Sequence, residues 1–147
     1  MLALEINSEF TIHPLLSLGA IEHFPGLKVN DLYNGYCWYD FVTYSPQGVD
    51  VSISICLYEG HFSAARFSLW DSTIYGSSWS DWTEQKQRLC ARDTEGWLAS
   101  KGLNPGQYDW GSIWVGYDPK SATGYALIQY KKKPNKAETA TPRKPSD

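Results

Sequence analysis

A chain of 147 residues can bury one sizeable core and is short for two, so we predict a single domain over residues 1–130 and a tail over residues 131–147. Hydrophobic residues at 42% and charged residues at 20% are ordinary globular values, but 7 Trp and 10 Tyr exceed what such a core needs, so some rings should face outward. Through Tyr130 there are 7 Lys and Arg against 14 Asp and Glu, a net charge of −7, which argues against a nucleic-acid ligand and either favours a basic partner or serves solubility alone.

The first 35 residues carry the weakest pattern. Apolar residues alternate with others from Leu2 to Ile6, as in a short strand, and Phe10 to Ile12 favours another strand. Leu15 to Phe24 is predicted as a short helix that Pro25 and Gly26 end. The topology of this segment stays open on these signals.

A three-stranded antiparallel meander follows. The strands are predicted over Tyr36 to Tyr44, Val49 to Tyr58 and Phe62 to Trp70, with a turn at Ser45-Pro46-Gln47-Gly48 and another at Glu59-Gly60. The middle strand alternates cleanly between apolar and polar residues, as a half-buried strand does.

The register of the second hairpin can be predicted from the faces of its strands. A two-residue turn that pairs Tyr58 with His61 would place the apolar residues of the third strand on the wrong face. A shift by one residue sets Ile53 against Phe67 and repairs the fault. We therefore predict a three-residue turn or a β-bulge in this hairpin.

One long helix is predicted from Tyr75 to Gly102. Ser78 or Ser80 would cap its start, and Lys101 with Gly102 would end it. At 100° per residue its apolar residues form one stripe, on which two ionisable residues also fall, Lys86 and Asp93. Asp93 could be a functional acid, but we favour a backbone or tyrosine group of the sheet as its hydrogen-bond donor. For Lys86 we favour a side chain that reaches outward to solvent.

The chain continues with a hairpin and a tail. Ser112 to Tyr117 and Tyr125 to Tyr130 are predicted as paired strands around Asp118-Pro119. Residues 131–147 are basic, contain three prolines and lack large apolar side chains, so we predict a disordered tail. The predicted fold class is α+β: an antiparallel sheet, made of the three-stranded meander and the C-terminal hairpin, packed on one long α-helix.

The sequence contains no motif typical of a catalytic, metal-binding or phosphate-binding site. The three histidines are scattered without metal-ligand spacing, and the chain has neither a nucleophile elbow nor a phosphate-binding loop. We therefore predict no catalytic residues, no metal and no cofactor. A catalytic site assembled by the tertiary structure, for example around Asp93, is the enzyme alternative.

The cysteines bear on the compartment. Cys37, Cys56 and Cys90 are an odd number without CxxC spacing, and the N-terminus lacks the pattern of a signal peptide. Cys37 and Cys56 would face each other if Tyr44 pairs with Val49, whereas a register that pairs Phe41 with Ile53 separates them. In either case we expect free thiols in the cytoplasm, and the absence of a long apolar run predicts no membrane span.

The surplus of aromatic residues allows two functional interpretations. Tryptophans mixed with aspartates are typical of a sugar-binding platform, and they are equally typical of a protein interface. The tryptophans concerned are Trp70, Trp79, Trp82, Trp110 and Trp114. A place in the core is still expected for at least half of the rings.

The C-terminal half resembles small bacterial immunity proteins, which are cytosolic antidotes encoded beside polymorphic or type VI secreted toxins. The shared pattern is a W-S-x-W-[ST]-E helix start, a W-L near the helix end, a W-G strand and a D-P-K hairpin that returns into a strand ending in Tyr. The matching residues here are Trp79, Ser80, Trp82, Thr83, Glu84, Trp97, Leu98, Trp110, Gly111, Asp118, Pro119, Lys120 and Tyr130.

The resemblance implies an α+β protein that binds a cognate toxin and occludes its active site, with no catalysis of its own. The shared residues would then be scaffold. We predict that the partner-binding residues are acidic and aromatic groups beside the helix start and the hairpin loops: Glu59, Asp71, Tyr75, Asp81, Asp109 and Tyr117. A basic toxin such as a nuclease would be attracted by the negative body. A small carbohydrate-binding or ligand-binding module is the alternative.

Overall fold

The computed structural model describes residues 3–43 and 48–131. Its strands are β1 Leu4–Asn7, β2 Phe10–Ile12, β3 Lys28–Asp31, β4 Tyr36–Thr43, β5 Val51–Tyr58, β6 His61–Leu69, β7 Gly106–Tyr108, β8 Gly111–Asp118 and β9 Thr123–Tyr130. Its α-helices are α1 Ser72–Tyr75 and α2 Glu84–Ser100. Strands β3-β4-β5-β6-β9-β8-β7 form one seven-stranded antiparallel sheet in that order, and β1 and β2 form a separate hairpin.

The predicted architecture of a meander and a hairpin packed on one long helix is wrong. The meander and the C-terminal hairpin are parts of one continuous sheet, because β6 pairs with β9 from Ala64 opposite Gln129 to Phe67 opposite Ala126. Short edge strands, β3 and β7, extend this sheet on both sides. Most of the regular secondary structure in the described ranges is therefore antiparallel sheet, and among the described residues α2 alone is a helix of more than four residues.

The helix also begins nine residues later than predicted, at Glu84. The predicted first turns are instead α1 and a short 3-10 turn over Trp79–Asp81, and Thr83 caps α2 by accepting a hydrogen bond from the Lys86 N–H. The predicted end is confirmed. Gly102 has a left-handed backbone with φ of 80°, and the next N–H, of Leu103, donates to the Leu98 carbonyl at 3.0 Å, as in a Schellman motif.

The predicted shift in the second hairpin is confirmed. Ile53 lies opposite Phe67, while Tyr58 lies opposite His61, and a β-bulge next to Cys56 reconciles the two pairings. In the first hairpin Phe41 lies opposite Ile53, so the alternative register that separates Cys37 from Cys56 is the one adopted. The turn between these strands is described only from Gly48 onward, so most of its predicted residues lie outside the described ranges, as does the predicted tail from Lys132 on.

One face of the seven-stranded sheet, called here the covered face, carries the core. Helix α2 contacts β6, β8 and β9 on this face, and the N-terminal segment packs against β4. Phe10 and Phe24 each bring a ring against Phe41, with centroids 5.4 and 4.4 Å away. The two predicted N-terminal strands are present. The helix predicted from Leu15 to Phe24 is wrong, because only a 3-10 turn over Leu18–Ala20 forms there. Gly19 lies inside this turn, and glycine weakens a helix.

Thr94 joins α2 to the sheet. Its side chain is fully buried, its hydroxyl donates to the Cys90 carbonyl at 2.7 Å, and it accepts from the backbone N–H of Leu69 at 3.1 Å. Thr94→Val keeps the shape but leaves that N–H without its acceptor, so we expect a loss of about 1–3 kcal/mol in the free energy of unfolding. Urea unfolding measures it. Thr94→Ser keeps the hydroxyl and should lose less, and an equal loss in both variants would contradict this role of the hydroxyl.

Across the described ranges, no helix has the length together with the hydropathy that spanning a bilayer demands.

Candidate functional site

The other face of the seven-stranded sheet, called here the open face, holds a groove. The groove has a volume of about 430 Å³. Its floor is made of small side chains, Ser52, Ser54 and Ser68, which alternate along β5 and β6 with the core residues of the covered face. Serines between larger neighbours leave a depression in the sheet, and we call it the serine groove.

One wall of the serine groove carries a carboxylate beside an indole. Asp40 and Trp38 lie two residues apart on β4, so their side chains share the open face. Both residues are half-buried. Asp40 lies in register between Lys28 and Ser54, yet within the described ranges its carboxylate forms neither a hydrogen bond nor a salt bridge.

The opposite wall carries an arginine that is already held. The Arg66 guanidinium lies 3.8 Å from the centroid of the Tyr125 ring and donates to Thr123 Oγ1 at 2.8 Å. Tyr125 in turn donates its hydroxyl to Asp118 Oδ2 at 2.8 Å. Burial, followed by this hydrogen bond, raises the pKa of Tyr125, and the same bond is the largest cause that lowers the pKa of Asp118. This wall is a fixed, internally satisfied network.

The structure divides the six predicted partner-binding residues between two ends of the sheet. Asp71, Tyr75, Asp81 and Tyr117 lie at the end where β6 and β8 finish. Glu59 and Asp109 lie at the opposite end, in the turns β5–β6 and β7–β8. None of the six lines the serine groove.

Several of these residues have structural partners. Asp71 accepts from the backbone N–H and the hydroxyl of Thr73, and Asp81 accepts from the N–H groups of Ser77 and Ser78. Tyr75 is 8% exposed. These contacts and this burial give Asp71, Asp81 and Tyr75 a structural role within the chain. A role of the six residues as a partner surface stays a prediction.

Three aspartates with lowered pKa values should make the protein less stable in acid. The pKa values of Asp71, Asp81 and Asp118 are lowered, chiefly by the Thr73 hydroxyl, the Ser78 N–H and the Tyr125 hydroxyl respectively. Carboxylates with a lowered folded pKa stabilise the protein fully above the unfolded value of about 4, and this contribution is lost as the pH falls through the folded value. Urea unfolding should therefore give a constant contribution from these groups between pH 7 and 5 and a decline below pH about 4. Asp118→Asn should flatten the decline, and an unchanged acid slope would contradict the assignment.

Asp93, the residue on which the enzyme alternative was based, has a structural hydrogen-bond partner. Tyr75 donates its hydroxyl to Asp93 Oδ2 at 2.8 Å, and burial together with this carboxylate raises the pKa of Tyr75. The favoured tyrosine donor is thus present, although it comes from α1 and not from the sheet. Lys86 donates from Nζ to the Asp81 carbonyl at 2.7 Å. Among the described residues, no group of three or more His, Cys, Asp or Glu side chains could hold a metal ion.

Sequence reasoning missed the serine groove. A usable signal was the run of small polar residues opposite the apolar face of the middle strand, Ser52 and Ser54, because it predicts a face that no layer covers. The isolation of Asp40 could not be predicted, since it depends on where Lys28 and Arg66 lie in the fold.

Neither a protein-family model nor a curated protein matches the chain. A solved structure matches in fold: a chain of the structure described as "Rhs1-CT in complex with cognate immunity protein RhsI1" superposes with a TM-score of 0.55, over 97% of this chain and 86% of that chain, at 14% sequence identity. The likeness is one of fold.

Proposed function

We propose that the protein is an immunity protein, which binds a cognate toxin and blocks it without performing a reaction. The observation that carries this proposal is the fold, which is shared along 97% of the chain with a chain of a complex that contains a cognate immunity protein. The helix and hairpin motifs described above support the same assignment from the sequence side.

Charge supports a basic partner. The net charge of −7 through Tyr130 would speed the approach of a positively charged toxin, for which a nuclease is the example we propose. We also propose a cytoplasmic location. The cysteines Cys37, Cys56 and Cys90 are free thiols, which suits a reducing compartment.

Co-expression with the toxin encoded next to this protein tests the proposal. We expect that cells expressing the toxin alone stop growing, that co-expression restores growth, and that the two proteins purify together. Absence of both rescue and complex would contradict the proposal. Growth arrest caused by this chain alone would contradict it in another way, because the fold likeness would then be to a toxin.

The serine groove favours a second candidate function, binding of a carbohydrate. A polar floor beside the half-buried Trp38 offers hydroxyl partners together with a ring for stacking. Titration with glycans should then shift the tryptophan fluorescence, and Trp38→Phe should remove most of the shift. A flat response of the wild-type protein would eliminate this candidate.

A further inference from the structure

We propose that the serine groove is the toxin-docking surface and that it receives a protruding lysine or arginine side chain of the toxin between the Asp40 carboxylate and the Trp38 indole. This inference rests on the proposed function and names the surface that performs it. It differs from the sequence-based expectation, which placed the contacts at the ends of the sheet.

The Asp40 carboxylate lacks a partner among the described residues. A carboxylate that is half withdrawn from water gains from a cation or hydrogen-bond donor beside it. Lys28 lies directly opposite on β3, but no ion pair within 4.0 Å joins the two side chains. Arg66 lies two strands away, at roughly 10 Å, and is held by Thr123 and Tyr125. Within the described residues, the carboxylate therefore has no cation of its own.

An aromatic residue lies near the Asp40 carboxylate on β4. Trp38 projects on the same face two residues away, and the face of an indole attracts a cation within about 6 Å. A guanidinium or ammonium group placed here would meet a negative charge and a ring together. The wall that carries Asp40 and Trp38 thus favours a basic side chain over an acidic or an apolar one, while the Arg66 cation lies on the opposite wall.

The serine floor and the volume of about 430 Å³ leave room for a few side chains of a partner, and the groove opens onto the uncovered face of the sheet. The long-range field has the same sign as the Asp40 carboxylate, since the net charge through Tyr130 is −7. A basic protein segment is attracted at a distance and then fits at contact.

The surface around the helix start fits a basic partner less well than the serine groove does. Its acidic groups Asp71 and Asp81 already accept hydrogen bonds from neighbouring backbone N–H groups, as described above. A toxin cation there would compete with caps that hold the local backbone, whereas at Asp40 it would meet an unused acceptor.

The test is calorimetric titration of the purified full-length protein with a catalytically inactive form of the toxin. We expect Asp40→Asn to raise the Kd at least about tenfold and Asp40→Lys to raise it further, because one loses the charge and the other reverses it. Glu95→Gln is the matched control, since this exposed carboxylate lies on α2, which packs on the covered face of the sheet, outside the groove. It should change the Kd less than about threefold. Circular dichroism and thermal unfolding verify that each variant is folded.

The outcomes separate the two proposals. If the wild-type protein binds and both Asp40 variants bind equally well, the groove is not the docking surface, although the immunity function stands. If the wild-type protein does not bind at all, the proposed function fails first. Tighter toxin binding after Lys132 and Lys133 are replaced by serine, absent when Asp40→Asn is also present, would mark the chain's own basic C-terminal segment as the occupant and would overturn the inference.

Discussion

Gly124→Ala is expected to lower the free energy of unfolding by about 3 kcal/mol, because it would force α2 away from the sheet. A Cβ atom at Gly124 would lie 2.0 Å from the Gln87 carbonyl oxygen and 3.1 Å from the Ala91 Cβ. The first of these contacts is with helix backbone, which cannot rotate aside as a side chain can. Chemical denaturation of both proteins at neutral pH measures the difference.

Gly96→Ala is the matched control on the same helix. A Cβ atom at Gly96 would have no other atom within 4 Å, so the change adds helix propensity without a clash. We expect a gain of about 0.5–1 kcal/mol. If both glycine variants change stability in the same direction and by the same amount, the close approach of α2 at Gly124 is wrong.

Leu98→Ala is expected to cost about 2–5 kcal/mol, through lost burial and the cavity that remains. Leu98 is fully buried in the core between α2 and the sheet, with 0% of its surface exposed. Its counterpart is Leu15→Ala, the same chemical change at a side chain that is 81% exposed, for which we expect a change within about 0.5 kcal/mol. Comparable losses in the two variants, measured by urea unfolding, would contradict the assigned core.

The strands with strong alternation were predictable, and so was part of their register. The middle strand and its neighbour must share one buried face, and this requirement alone fixed Ile53 opposite Phe67 and required an irregularity in the hairpin. The helix end was predictable as well, because a left-handed glycine and the following proline are local signals.

The edges and the connectivity of the sheet were not predictable in the same way. Strand β3, Lys28–Asp31, is exposed along its whole length and has no apolar alternation to reveal it, so its conformation depends on pairing with β4. The pairing of β6 with β9 joins segments about 60 residues apart, and no local pattern specifies such a contact. The start of the helix was misplaced because serines at 77, 78 and 80 offer several possible caps, and the hydrogen bond of Thr83 decides among them.

For the candidate site as well, the sequence predicts which residues are acidic, and the tertiary structure decides which of them lack a partner. Counting acidic and aromatic residues found Asp71 and Asp81, which the structure uses as local caps. It passed over Asp40, whose distinguishing property is that its possible cations, Lys28 and Arg66, do not pair with it. The availability of a charge depends on its neighbours in space.

Stoichiometric titration of the toxin's activity with this protein distinguishes an inhibitor that occupies the toxin from a protein that does not. If the protein acts by occupying the toxin, the remaining activity should fall linearly and reach its minimum at one equivalent, and active toxin should be recovered when the complex is dissociated. Complete inactivation by far less than one equivalent would identify a catalyst. Full toxin activity at a large excess of the protein would show that it is no inhibitor. Either result would contradict inhibition by stoichiometric binding.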